Sequence, residues 1–179
     1  MIIEKLVVSH VRNIQQAELH FDHRTNIITG LNASGKTSLL EAIHLLFVGK
    51  SFRTSKIDQI IHTGQDNLLL TSRLYDPDRS QSHSLGIRRE RKNVKIRFNN
   101  ETVRSISQLA RIQPVVLITP ESQHLITGGP TQRRTLIDWL LFHVEHIYHR
   151  TWSDYQNVLK QRNSSLKKKS KTADIHVWD

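Results

Sequence analysis

One stretch constrains this 179-residue chain more than any other. Gly30-Leu31-Asn32-Ala33-Ser34-Gly35-Lys36-Thr37 fits G-x-x-x-x-G-K-[S/T], the pattern of a phosphate-binding loop. Ordinary residue frequencies supply such a match by chance in on the order of half a percent of chains this long. The flanks agree with it. Asn26-Ile27-Ile28-Thr29 is a β-branched run halted by Gly30, which predicts a short buried strand entering the loop. Beyond the loop, Leu39, Leu40, Ile43, Leu46 and Phe47 recur at helical spacing and Gly49 supplies a stop, so a helix is predicted over 36–48. Strand, glycine-rich turn and helix together define an α/β architecture.

Each residue type in the loop has a physical reason. Gly30 and Gly35 permit backbone angles and close approach that a Cβ would forbid. The amides then form a concave anion site at the positive end of the helix. Ala33 and Ser34 are small and leave room for a triphosphate. Lys36 brings a flexible cation to terminal phosphates, and the Thr37 hydroxyl is placed to ligate Mg²⁺.

Elsewhere the chain divides into a strand-rich part and a helical part. Leu6 and Val8, then Ala17, Leu19 and Phe21, alternate with polar residues around Arg12-Asn13-Ile14, the mark of an antiparallel hairpin. Further strands are predicted over 68–75, 85–89, 94–98 and 114–118, with turns at 76–80 and Asn99-Asn100. A short helix is predicted over 105–112 with Ser105 at its cap. After Gly128-Gly129-Pro130, the residues Leu136, Ile137, Leu140, Leu141, Val144, Ile147 and Tyr148 predict one long amphipathic helix. A second follows, with Trp152, Tyr155, Leu159, Arg162 and Leu166 at steps of three and four.

Composition narrows the function. Twenty-six Lys and Arg against 16 Asp and Glu leave +10, which favours a polyanionic partner such as nucleic acid or a nucleotide. With no cysteine, a disulfide scaffold, a thiol nucleophile and thiolate-held metals are excluded. Neither a signal-peptide start nor an apolar run of membrane-spanning length is present, so a soluble cytoplasmic protein with no membrane partner is expected. Between Arg88 and Arg97 stand six basic residues and one acid, either a DNA-facing patch or a solvated hairpin. Lys167–Lys171 reads as a solvated tail, and Arg133-Arg134 as a surface pair or an anion contact. His143, His146 and His149 lack a zinc spacing and read as ordinary surface or interface histidines. No G-x-S-x-G elbow marks a hydrolase.

Several segments in order resemble the RecF family of SMC/ABC-type ATPases. They are Leu6 to Asn13, Gly30 to Ser38, Leu40-Glu41-Ala42-Ile43, Lys50-Ser51-Phe52-Arg53 and Ile118-Thr119-Pro120-Glu121. Gly128-Gly129-Pro130 with Arg133-Arg134, Leu136-Ile137-Asp138 and Leu159-Lys160-Gln161-Arg162-Asn163 continue the series. The resemblance implies the N-terminal part of a P-loop ABC/SMC-like ATPase head over 1–118, then the start of a helical arm over 119–179. It implies ATP and Mg²⁺ as cofactors, held by Gly30, Leu31, Asn32, Ala33, Ser34, Gly35, Lys36, Thr37 and Ser38, with Arg12 against the phosphates and Thr37 on the metal. The implied partners are single-stranded and duplex or junction DNA, RecR and RecO, and a second copy in an ATP-dependent homodimer. RecA loading and SOS induction are the implied outcome. No catalytic residue is assigned, because no apolar strand here ends in Asp-Glu and no signature motif occurs. Leu136-Ile137-Asp138 is the nearest, and its neighbours place it on a helix. The chain thus reads as a fragment or truncated product of a protein about twice its length. A stand-alone P-loop nucleotide kinase, or a DNA-binding remnant without nucleotide, remain the alternatives from the residues alone.

Overall fold

In the computed structural model, residues 1–103, 113–145 and 147–167 are described. Period-two alternation builds its first unit. Along β1 (Ile2–Val11), Leu6, Val8 and Val11 are buried, and along β3 (Asn67–Asp76) so are Leu68, Leu70 and Leu74. These strands, with β2 (Ile14–His20), β4 (Gln81–Glu90), β5 (Val94–Phe98) and β6 (Glu101–Thr102), form one antiparallel sheet in the order β2-β1-β3-β4-β5-β6. Register carries the core across it: Val8 pairs with Leu70, Leu70 with Ile87, and Ile87 with Ile96, and all four are buried. Asn99 and Asn100 turn β5 into β6 with φ of 49° and 67°, the left-handed pair that such a tight hairpin requires.

Helix α1 (Lys36–Val48) covers the inner face of this sheet. It ends where Gly49, at φ 72°, donates its N–H to the Leu45 carbonyl. Leu39, Ala42, Leu45, Leu46 and Phe47 join the strand residues in one core. By apolar spacing the buried stripe includes Leu40, yet Leu40 is 46% exposed and Glu41 is fully buried in its place. The helix is turned so that one carboxylate lies inside, where it meets Arg12.

Two predicted strands do not form. Asn26–Thr29 and 114–118 have no regular secondary structure and no strand partner among the described residues. A strand exists only through hydrogen bonds to a neighbour, so an apolar run is not sufficient. Each run still sends one residue inward, since Ile28 and Val115 pack on the core while Ile27 is 83% and Val116 68% exposed. The predicted helix over 105–112 falls outside the described residues, as do His146 and 168–171.

The chain divides into Met1–Leu117 and Ile118–Asp179. In the second unit a 3-10 turn (Pro120–Gln123) runs into a one-turn helix α2 (His124–Thr127), then α3 (Pro130–Val144) and α4 (Tyr148–Lys167). Pro130 opens α3, where its missing N–H costs nothing. The single long helix predicted through Tyr148 is two helices. Glu145 leaves helical geometry, its carboxylate accepts the Ile147 N–H at 3.4 Å and its carbonyl the Tyr148 N–H at 3.2 Å, which stabilises the break. Tyr148 then donates from its hydroxyl to Asp138 at 2.5 Å. Asp138 lies on α3, a helix, as its neighbours predicted.

Candidate nucleotide-binding site

Gly30 to Ser38 forms the turn into α1, and its backbone has the required conformations. Gly30 adopts φ 149°, Ala33 64° and Gly35 103°. A Cβ on Gly35 would sit 3.3 Å from the Asn13 amide nitrogen in a conformation that already disfavours side chains, so glycine is needed there. Asn13 ties the loop down: its Nδ2 donates to the Ala33 carbonyl at 3.1 Å and its Oδ1 accepts from the Ser38 hydroxyl at 2.8 Å. Ser38 is thus spent on holding the loop. Lys36, Thr37 and Ser38 supply the first-turn amides that a helix cannot satisfy itself, and no acidic side chain stands in that turn.

The loop borders a cavity of about 760 Å³. Of the residues expected to bind nucleotide, Arg12, Asn32, Ala33, Gly35, Lys36, Thr37 and Ser38 line it together. Gly30, Leu31 and Ser34 do not line it and shape the turn instead, for the Ser34 N–H donates to the Leu31 carbonyl at 3.3 Å. Lys36 folds back on the loop, its Nζ donating to the carbonyls of Gly30 at 2.8 Å and Leu31 at 2.6 Å. An arriving phosphate therefore exchanges with two carbonyl contacts for this ammonium.

Arg12 also lines the cavity, from the two-residue turn between β1 and β2, at φ 53°. Such a conformation costs a residue with a side chain about 1–3 kcal/mol and persists where the surroundings over-determine it. They do so here. The Arg12 N–H donates to the Ile60 carbonyl at 2.7 Å, and the His62 Nδ1–H donates to the Arg12 carbonyl at 2.6 Å. Its guanidinium grips buried Glu41 through two bonds, Nε to Oε2 at 2.9 Å and Nη2 to Oε1 at 2.8 Å. Ser51 also donates to Glu41, and Arg53 Nη1 lies 3.7 Å from Oε2.

Burial pushes the Glu41 carboxyl up, but the hydrogen bonds from Arg12 and Ser51 and the charges of Arg12 and Arg53 outweigh it. The carboxyl is held below its ordinary value of 4.5. A depressed carboxyl contributes stability that is fully present above 4.5 and lost as pH falls through its folded value. In urea unfolding, the stability difference between the wild type and Glu41→Gln is expected to be constant from pH 7 down to about 5 and to shrink below that. A difference that stays constant in acid would show that Glu41 is not charged in the fold.

Asn13, Glu41, Arg53 and His62 were not among the expected site residues. Asn13, Glu41 and Arg53 lie within segments that carry the family resemblance, which was their one signal; His62 had none. Asp58 also lines the cavity, paired with Arg91 at 3.0 Å. In the second unit, Arg133 donates to the Gly128 carbonyl at 2.9 Å, so that guanidinium has a local acceptor. Among the described residues no group of three His, Asp or Glu is placed to hold a metal. No helix among them is long and apolar enough to cross a membrane.

A glycine-rich turn into a helix on a mixed α/β layer, with a lysine and an arginine on one cavity, is the head of a P-loop ATPase. The chain belongs to the AAA-domain family, which matches residues 5–176. Along this length it is similar to DNA replication and repair protein RecF. It is 39% identical to that of Proteus mirabilis over 181 residues, covering all of this chain and 50% of the relative. To RecF of Idiomarina loihiensis it is 45% identical over 167 residues, 93% of this chain and 46% of the relative. A solved structure of the recombination mediator protein RecF with ATP, of the RecFOR pathway, superimposes with a TM-score of 0.85 at 28% identity, over 99% of this chain and 48% of that one. An SMC ATPase structure shares the fold with a TM-score of 0.65 at 21% identity, over 78% of this chain and 99% of that one. The chain spans about half the length of the RecF relatives it matches.

Proposed function

We propose that this chain binds ATP with Mg²⁺ and uses it to control a grip on DNA in recombinational repair and replication. The observation that carries the reading is the shared cavity of Lys36, Thr37 and Arg12 at an uncapped helix start. Its residues fit a magnesium–triphosphate: free first-turn amides, a loop with left-handed Ala33 and Gly35, and an exposed Thr37. The amides of Ala33 and of Gly35 to Ser38, with the Lys36 ammonium, hold phosphates, Thr37 offers its hydroxyl to the cation, and Arg12, on the same cavity, contacts the phosphates as well. Bound Mg²⁺ would neutralise phosphate charge there. RecF with ATP is the solved relative that supports this choice of nucleotide.

The outer face of the sheet supports the DNA half. Thr71 pairs with Gly86 and Gly86 with Arg97, while Leu69 pairs with Arg88 and Arg88 with Lys95. These alternate positions line a shallow cleft of about 450 Å³ carrying Arg88, Lys95 and Arg97. Arg88 is paired with Glu90 at 3.2 Å, and among the described residues no carboxylate pairs with Lys95 or Arg97. Single-stranded and duplex or junction DNA are the substrates in this reading, and residues 119–179 begin a helical arm. The setting is the cytoplasm, with an ATP-dependent homodimer, RecR- and RecO-type mediators, RecA loading and SOS induction downstream.

Titration of labelled junction DNA with and without ATP and Mg²⁺ tests it. Binding is expected to tighten with ATP. Replacing both Lys95 and Arg97 with alanine is expected to flatten the salt dependence by about two in log–log slope, since each phosphate contact contributes roughly 0.9. DNA affinity indifferent to ATP would overturn nucleotide control, and an unchanged slope would remove the sheet face from the DNA contact.

A further inference from the structure

Among the described residues, Glu41 is the one charged side chain in the core, fully buried on the helix that the phosphate loop opens. A buried carboxylate beside an anion site is unfavourable for the anion unless it organises something. Glu41 organises both arginines of the cavity wall. It takes the Nε and Nη2 of Arg12 in a two-point grip, which consumes one edge of the guanidinium and leaves the Nη1 edge for another acceptor. Its third partner, the Ser51 hydroxyl, in turn accepts from the backbone N–H of Arg53 at 2.9 Å and of Thr54 at 3.2 Å, ordering the segment that carries Arg53. Arg12 and Arg53 both line the cavity; Glu41 does not.

We propose that Glu41 is a positioning residue for nucleotide binding: it locks the Arg12 guanidinium before the phosphates arrive, so that the entropy of ordering a long side chain is not charged to binding. The backbone clamps from Ile60 and His62 hold the base of the same arginine, and Glu41 holds its tip. The proposal rests on the reading of Arg12 as a phosphate contact.

A double-mutant cycle on the full chain tests it, with a fluorescent ATP analogue and Mg²⁺ as probe. Arg12→Ala and Glu41→Gln are each expected to weaken binding about tenfold, the loss of one hydrogen bond to a charged group. The double variant is expected to be no weaker than about tenfold, because Glu41 acts through Arg12. A role in general stability would instead multiply the two losses, to about a hundredfold. Glu41→Asp keeps the charge but withdraws the carboxylate by one methylene, and it is expected to weaken binding as Glu41→Gln does. If Glu41→Gln does not fold, Glu41→Asp carries the comparison alone. Unchanged or tighter binding in the Glu41 variants, or multiplied losses in the double variant, overturns the proposal while leaving Arg12 as a phosphate contact. Unchanged binding in Arg12→Ala overturns the Arg12 reading itself.

Discussion

Lys36→Ala is expected to weaken ATP binding on the order of a hundredfold, the upper range for losing a hydrogen bond to a charged group, with no measurable loss of stability. The separation follows from where the ammonium sits. Its partners in the fold are the carbonyls of Gly30 and Leu31, both on exposed residues, so water replaces the lysine at little cost. Phosphate oxygens in the cavity would instead lose a charged donor, which neutral water does not replace. Isothermal titration for affinity and thermal melting for stability check the two halves. Wild-type affinity in Lys36→Ala would remove the loop as the nucleotide site. A melting temperature many degrees lower would mean the ammonium holds the loop together.

The opposite result is expected at the far end of the same helix. Phe47 is 2% exposed and among the largest side chains fully inside the core. Phe47→Ala is expected to cost about 3–5 kcal/mol, the transfer of the ring plus the cavity left behind. Urea denaturation measures it. Because the sheet and α1 share one core, this loss reaches the phosphate loop only through global unfolding, so nucleotide affinity of the folded fraction is expected to hold. A cost below about 1 kcal/mol would mean that α1 does not close the sheet.

The two variants bracket how much of the protein its sequence announces. The loop was legible because its chemistry is local: Gly30, Gly35, Lys36 and Thr37 lie within a few residues, and the conformations that glycine permits are the ones adopted. The hairpin around Arg12 and the strands β3, β4 and β5 were legible for a similar reason, since a two-residue period needs only neighbours to read. The apolar runs Asn26–Thr29 and 114–118 are not strands, because pairing depends on a second segment that no local pattern contains.

Glu41 marks the boundary most sharply. By composition it belongs on the wet side of α1 and Leu40 on the dry side, and the fold reverses them. A carboxylate enters a core only when a cation from elsewhere meets it, and Arg12 lies 29 residues away on another element. Asn13 and His62 reach the site by the same long-range route, through bonds to Ala33 and to the Arg12 carbonyl. What the amino-acid order determined unaided is the glycine-rich turn into α1 and the strands beside it, whose interactions are short-range along the chain. Tertiary structure alone decided what steadies Arg12, because those contacts join residues that become neighbours only once the sheet and helix have packed.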